Sequence, residues 1–260
     1  MDFLHPLSGF VVGTMVGLTG VGGGSLMAPI MILLLGVAPT TAVGTDLWFA
    51  ALTKMVGGGV HHAQGHADWQ VVRRLAYGSL PAAVLTLWFL STNGGHQMKG
   101  GFVVHILGAA LIVTAGVTLF QRRIYRSAVS IAHERITVYR PYLPGLTILC
   151  GVVLGTIVTL TSVGAGALGA TMLVMLYPIR LTTQKIVGTD IVHAVPLTML
   201  AGLGYFWMGK VDLTLLGSLL VGSIPGIVIG SRLTKRVNAG FLRIALAMML
   251  VFSGAKLLTS

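Results

Sequence analysis

Leu18-Thr19-Gly20-Val21-Gly22-Gly23-Gly24 returns 142 residues later as Leu160-Thr161-Ser162-Val163-Gly164-Ala165-Gly166, each time inside a long apolar segment, 7–35 and 143–177. A second block, Val43-Gly44-Thr45-Asp46, returns at a slide of 144 as Val187-Gly188-Thr189-Asp190. The same slide lays Gly65 and Asp68 on Gly209 and Asp212, and Gly78-Ser79-Leu80-Pro81 on Gly222-Ser223-Ile224-Pro225. Over positions 43–82 there are 13 identities in 40, where ordinary residue usage gives roughly 7% by chance. The chain is therefore one unit written twice: a first repeat at 1–121, a basic connector at 122–142 and a second repeat at 143–260.

The solvent of this unit is lipid. The chain is 55% hydrophobic and 9% charged, whereas a soluble domain carries roughly 25% charged residues. Apolar stretches long enough to cross a ~30 Å hydrocarbon core lie near 43–61, 71–90, 100–121, 187–207, 213–231 and 239–258. The start, Met-Asp-Phe-Leu-His-Pro, has neither the basic region nor the small-residue cleavage site of a signal peptide, so a mature N-terminus is expected. A net charge of +11 would suggest nucleic acid in a soluble protein, but here most basic residues sit in short connectors beside apolar spans, where membrane orientation accounts for them. Cys150 is the single cysteine, which excludes an intrachain disulfide, and a packed core thiol is the expected role.

Each interrupted segment starts with about a dozen apolar residues, meets the glycines and runs on for about ten more; at about 1.5 Å per residue such limbs reach the midplane. Several glycines together favour a break. A re-entrant hairpin and a full crossing are both open, and charge placement chooses between them. If both segments are hairpins, twelve basic residues, among them Arg73, Arg74, Arg180, Lys185 and the five arginines of the connector, fall on one side, against Lys99, Lys210 and Lys256 on the other. If both cross, the count is nine against six. Basic residues favour the cytoplasmic side, so the hairpin arrangement is expected. Each copy then crosses three times, and the second copy is inverted relative to the first. The expected fold is all-α and polytopic: two inverted repeats, each a Gly-broken hairpin followed by three transmembrane helices, with both termini extracytoplasmic.

The two breaks are the first candidate for a binding site. A helix restarting after Gly24 or Gly166 presents unsatisfied N–H groups and the positive end of its dipole, which holds anions without a basic side chain. The candidate substrate-binding residues are Gly20, Val21, Gly22, Gly23, Gly24, Ser25, Ser162, Val163, Gly164, Ala165, Gly166 and Ala167, with Thr45 and Thr189 of the second repeated block. Close helix packing is the competing role for such small residues. Asp46 and Asp190 open apolar spans at equivalent positions, where a carboxylate is costly and usually functional or paired. They are candidates for a coupling proton or a cation, against the plainer roles of helix cap or partner of Lys54. Lys54 and His193 are further candidate charges for an anion, with a packed hydrogen-bonding role open for His193. His105 and Arg243 are expected to be buried in the last spans and have no assigned role. His61, His62 and His66 lack a completing carboxylate, because Asp68 fits a cap for the helix beginning near Trp69, as Asp212 does in the other copy. No metal, cofactor or catalytic residue is expected. Trp48, Trp69, Trp88 and Trp207 fit interfacial anchors.

Gly17-Leu18-Thr19-Gly20-Val21-Gly22-Gly23-Gly24, then Pro29, then Ala42-Val43-Gly44-Thr45, then Gly-x-x-Asp-Trp at 65–69, together resemble the sulfite exporter TauE/SafE family of membrane permeases. The likeness covers nearly the whole chain. It implies transport of sulfite, organosulfonates such as sulfoacetate, or related small anions across a bacterial-type inner membrane. The chain departs from that pattern in Asp46 and Asp190, where a small polar residue is more usual, and in its second glycine motif. The leading expectation is alternating access with a proton as partner ion and a small anion at the midplane. A cation or metal-ion transporter using Asp46 and Asp190 is the alternative, and an intramembrane enzyme lacks both a nucleophile with a base and a metal motif. Oligomeric state is not legible.

Overall fold

The computed structural model describes residues 3–19, 26–63, 67–93, 101–139, 141–233 and 239–259. They form helices α1 (Leu4–Thr19), α2 (Met27–Leu33), α3 (Pro39–Ala63), α4 (Trp69–Asn93), α5 (Gly101–Tyr139), α6 (Leu143–Thr161), α7 (Ala167–Leu176), α8 (Thr183–Trp207), α9 (Leu213–Leu233) and α10 (Ala239–Thr259), with no strand among them. A backbone in hydrocarbon must satisfy its own hydrogen bonds, which leaves helices as the open-chain solution. Five of them are long and apolar enough to cross a bilayer, within α4, α5, α6, α8 and α9. Phe3, Val84, Trp88, Val113, Phe120, Leu149, Met248 and Phe252 face outward, the reverse of a soluble protein and what a lipid surround requires.

Local chemistry sets the helix starts. Asp68 Oδ1 accepts the N–H groups of Gln70 at 3.1 Å and Val71 at 3.2 Å, and Asp212 Oδ1 accepts that of Leu215 at 2.9 Å. Both expected caps are thus present. Thr182 caps α8 through the N–H of Lys185. Pro81, Pro196 and Pro225 sit inside helices, tolerated where neighbouring helices cover the freed carbonyl.

The two copies interleave. α1 lies on α9, and its equivalent α6 lies on α4. A Cβ at Gly151 or Gly155 would strike the backbone of Leu75 or Ser79; one at Gly9 or Gly13 would strike Leu219 or Ser223. These are the same contacts under the 142 and 144 slides. In lipid no hydrophobic force pulls helices together, so backbone contact through small residues does that work.

α3 lies against its own equivalent, α8. Trp48 Nε1 donates to Gly202 O at 3.0 Å near one end of the pair. At the other end, just past α3, the Asp68 N–H donates to Thr189 Oγ1 at 2.9 Å. The mirror bond runs from the Asp212 N–H to Thr45 Oγ1 at 3.1 Å. The beginning of α3 therefore meets the end of α8, and the two run antiparallel.

Four expectations are revised. The first limb of the second interrupted segment is not half-length: α6 has 19 residues, about 28 Å. Gly151 and Gly155 do not break it, because tertiary contact with α4 rewards the missing side chains more than glycine's entropy penalises them. Residues 122–139 continue α5 as helix, so most of the expected connector extends the last span of the first repeat. Trp48 is half-buried and bonded to Gly202 O, unlike the exposed Trp69, Trp88 and Trp207. His105 is exposed, its Nδ1 at 2.5 Å from Gly101 O. The side chains of His61, His62 and Arg243, and all of Gly65 and His66, lie outside the described residues.

Candidate functional site

α6 stops at Ser162, whose φ of 61° is left-handed. Gly164 and Gly166 follow at φ 108° and 145°, values that glycine adopts without a Cβ clash. Thr161 steadies the turn, its Oγ1 donating to Ile157 O at 2.7 Å and accepting the Val163 N–H at 3.1 Å. α7 then restarts at Ala167. The Gly169 and Ala170 N–H groups go to Gly164 O and Gly166 O. No acceptor among the described residues takes those of Ala167 and Leu168, which stay available to a ligand. Ala165 and Ala167 are the half-buried positions of this run, beside the fully buried Ser162 and Val163. The first break, Gly20, Val21, Gly22, Gly23, Gly24 and Ser25, lies outside the described residues.

Two α3 side chains hold the second break from opposite ends. Ser162 Oγ donates to Asp46 Oδ2 at 2.5 Å, and Lys54 Nζ donates to Ala165 O. Asp46 and Lys54 are eight residues apart, about 12 Å along the helix, and bracket the middle of α3. A glycine-rich turn of the second copy is thereby fixed at the centre of a helix of the first.

Asp46, Lys54, Asp190 and His193 are all buried, at 0%, 4%, 4% and 2% exposure. Lys54 forms no close ion pair; among the described residues the one salt bridge is Arg180 with Asp68, at 2.8 Å. Its charge nevertheless acts on both carboxylates. Each aspartate stands at the returning helix of its own copy: Asp46 beside the backbone N–H of Ala28 in α2, Asp190 with Oδ1 against the Cα of Gly169 in α7. Asp46 Oδ1 is buried without a hydrogen-bond partner among the described residues. The anion-favouring end of each short helix is thus already faced by a carboxylate.

Of the residues expected from sequence, Ser162, Val163, Gly164, Ala165, Gly166 and Ala167 come together with Asp46, Lys54 and Asp190. Thr45 and Thr189 are placed elsewhere, tying the chain ahead of α9 and α4 across the copies. His193 meets Ser79 of α4, Nε2 to Oγ at 2.7 Å. Ser79 was visible only as part of a repeated block, without a partner in view. Its equivalent Ser223 is buried with Oγ unpartnered among the described residues, and the residue equivalent to His193 is Phe49, whose side chain has no hydrogen-bonding atom. Gly169 was the other residue missed, because a glycine declares a close approach only once its neighbour is known.

A bundle of apolar helices with an interrupted helix and ionisable groups at its centre defines a polytopic membrane transporter. The model of the sulfite exporter TauE/SafE family matches residues 6–257. The chain belongs to that family, and it is a membrane transporter, not an enzyme. It is 40% identical over 260 residues to the probable membrane transporter protein YjnA of Bacillus subtilis, covering 97% of this chain and 98% of that one. It is 27% identical to YdhB of the same organism, over 96% and 97% of the two chains. A probable membrane transporter protein of Methanocaldococcus jannaschii, MJ0441, is 25% identical over 95% and 91%. No solved structure matches the chain.

Proposed function

We propose that the chain carries small sulfur-containing anions, sulfite or organosulfonates, by alternating access across the bacterial inner membrane, driven by a proton. The observation that carries this reading is the second break at the centre of α3, with the Ala167 and Leu168 N–H groups taken by no acceptor among the described residues and the Lys54 ammonium bonded to the Ala165 carbonyl. Backbone donors and one cation suit a small oxyanion. The antiparallel packing of α3 on α8, with the bias of basic residues to one side, supports two repeats inverted across the bilayer and a shared site near the midplane. The family name gives the substrate class.

The alternative, a cation held by Asp46 and Asp190 with backbone carbonyls, meets an obstacle: Lys54 places a positive charge beside both carboxylates. The test is uptake of radiolabelled sulfite and sulfoacetate into proteoliposomes, for the wild type and Ala167→Phe. That substitution crowds the break without needing a left-handed backbone. Wild-type uptake with loss in the inserted variant is the expected result. Undiminished uptake by correctly inserted Ala167→Phe overturns the site.

A further inference from the structure

We infer that the two equivalent aspartates do different jobs: Asp190 takes up and releases the coupling proton with Lys54 as its counter-charge, while Asp46 is a structural tie. What the proton drives rests on the transport function proposed above; where the proton binds does not.

The asymmetry is geometric. Asp46 is fully buried, its Oδ2 fixed at 2.5 Å from Ser162 Oγ and its carboxylate beside the Ala28 N–H. A carboxylate tied to Ser162 and sealed from water is poorly placed to exchange protons. Asp190 keeps 4% exposure and has no hydrogen-bond donor among the described residues. The sequence contains the reason. Under the repeat, Ser162 corresponds to Gly20, so the position equivalent to the donor of Asp46 carries no hydroxyl.

The charges around Asp190 are few. α3 brings Lys54, whose field is the one charge acting on it among the described residues. α7 contains no ionisable side chain in Ala167–Leu176. α6 carries only the thiol of Cys150, and from α4 Ser79 Oγ meets His193. Lys54 itself has no counterpart: the equivalent residue is Thr198, whose hydroxyl bonds its own helix at Ala194 O. The two copies therefore share one cation, which acts on both carboxylates.

The consequence for transport is a matter of charge. With Asp190 ionised, an arriving anion meets a carboxylate beside Lys54 in a medium that screens little. With Asp190 protonated, that repulsion is gone and Lys54 is free to leave Ala165 O for the anion. Proton and anion then load together, one added proton for each Lys54 freed.

The experiment compares wild type, Asp190→Asn and Asp46→Asn in proteoliposomes, with radiolabelled sulfite for flux and an internal pH dye for protons. A parallel infrared titration of the detergent-solubilised proteins follows the carbonyl band of a buried carboxylic acid, without substrate. For Asp190→Asn we expect proton-driven accumulation to fall by about tenfold or more, sulfite–sulfite exchange to persist, and the titrating band to vanish. Asp46→Asn is expected to keep the band and lose thermal stability. PH-dependent accumulation at the wild-type level in folded Asp190→Asn, or a titrating band that survives there and disappears in Asp46→Asn, overturns the assignment. Should Asp46→Asn fail to fold, Asp190→Asn decides by itself. Absence of sulfite flux in the wild type defeats the proposed substrate, and the infrared result then decides the proton site alone.

Discussion

Ser162→Ala is the substitution from which the structure demands most. It deletes one oxygen atom, and that oxygen carries the 2.5 Å bond to Asp46 Oδ2. Asp46 Oδ1 already lacks a partner among the described residues, so the variant leaves a fully buried carboxylate with no side-chain donor among them. Leaving a buried polar group without its partner costs about 1–3 kcal/mol. At about 2–4 °C per kcal/mol for a chain of this size, the melting temperature should fall by roughly 2–12 °C, measured by thermal unfolding of the purified protein in detergent. Ser162→Gly adds a discriminating control. It loses the same bond but relieves the left-handed backbone at φ 61°, and should be less damaging than alanine by about 1 kcal/mol. In an Asp46→Asn background the neutral amide has less to lose, so Ser162→Ala should cost less there, a coupling of about 0.5–3 kcal/mol by double-mutant cycle. A Ser162→Ala protein melting within about 1 °C of wild type, or additive effects in the cycle, refutes the view that Asp46 is tied to the break.

Gly155→Ala and Gly13→Ala should destabilise to similar extents, each by about 1–3 kcal/mol, because each new methyl meets the backbone of the equivalent serine, Ser79 or Ser223. Gly145→Ala, with nothing near its Cβ, is the matched control and should be neutral or stabilising in the same thermal assay. The proposed inverted topology predicts that, in a Cys150→Ala background, cysteines introduced at Phe3 and Thr259 react with an impermeant maleimide from outside intact cells, while one at Tyr125 reacts only after permeabilisation. Labelling of the Tyr125 site in intact cells is the contrary result.

The antiparallel pairing of α3 with α8 bears on how such a protein arises and moves. In the alternating access proposed above, the two copies would exchange conformations, the first adopting the shape of the second. Lys54 and Ser162 each sit on one side of that symmetry, opposite Thr198 and Gly20. Such an exchange would be between similar but unequal states.

Periodicity and composition alone determined that this chain lives in lipid and that it is a duplicated helical unit, and they singled out the Gly-rich breaks and Asp46, Lys54, Asp190 and His193 as candidates. Those features are local: hydrophobic length, glycine clustering and the cost of a charge in hydrocarbon act within a few turns of helix. Tertiary structure decided what the local signals left open. It carried α6 unbroken through Gly151 and Gly155, since the backbone of α4 fills the space their side chains would need. It sent the Thr45 and Thr189 hydroxyls to the chain ahead of the opposite copy's helices, and gave Ser162, not Lys54, to Asp46. Each of these joins residues more than 70 positions apart, and such pairings depend on how helices stack, which no spacing along one helix contains.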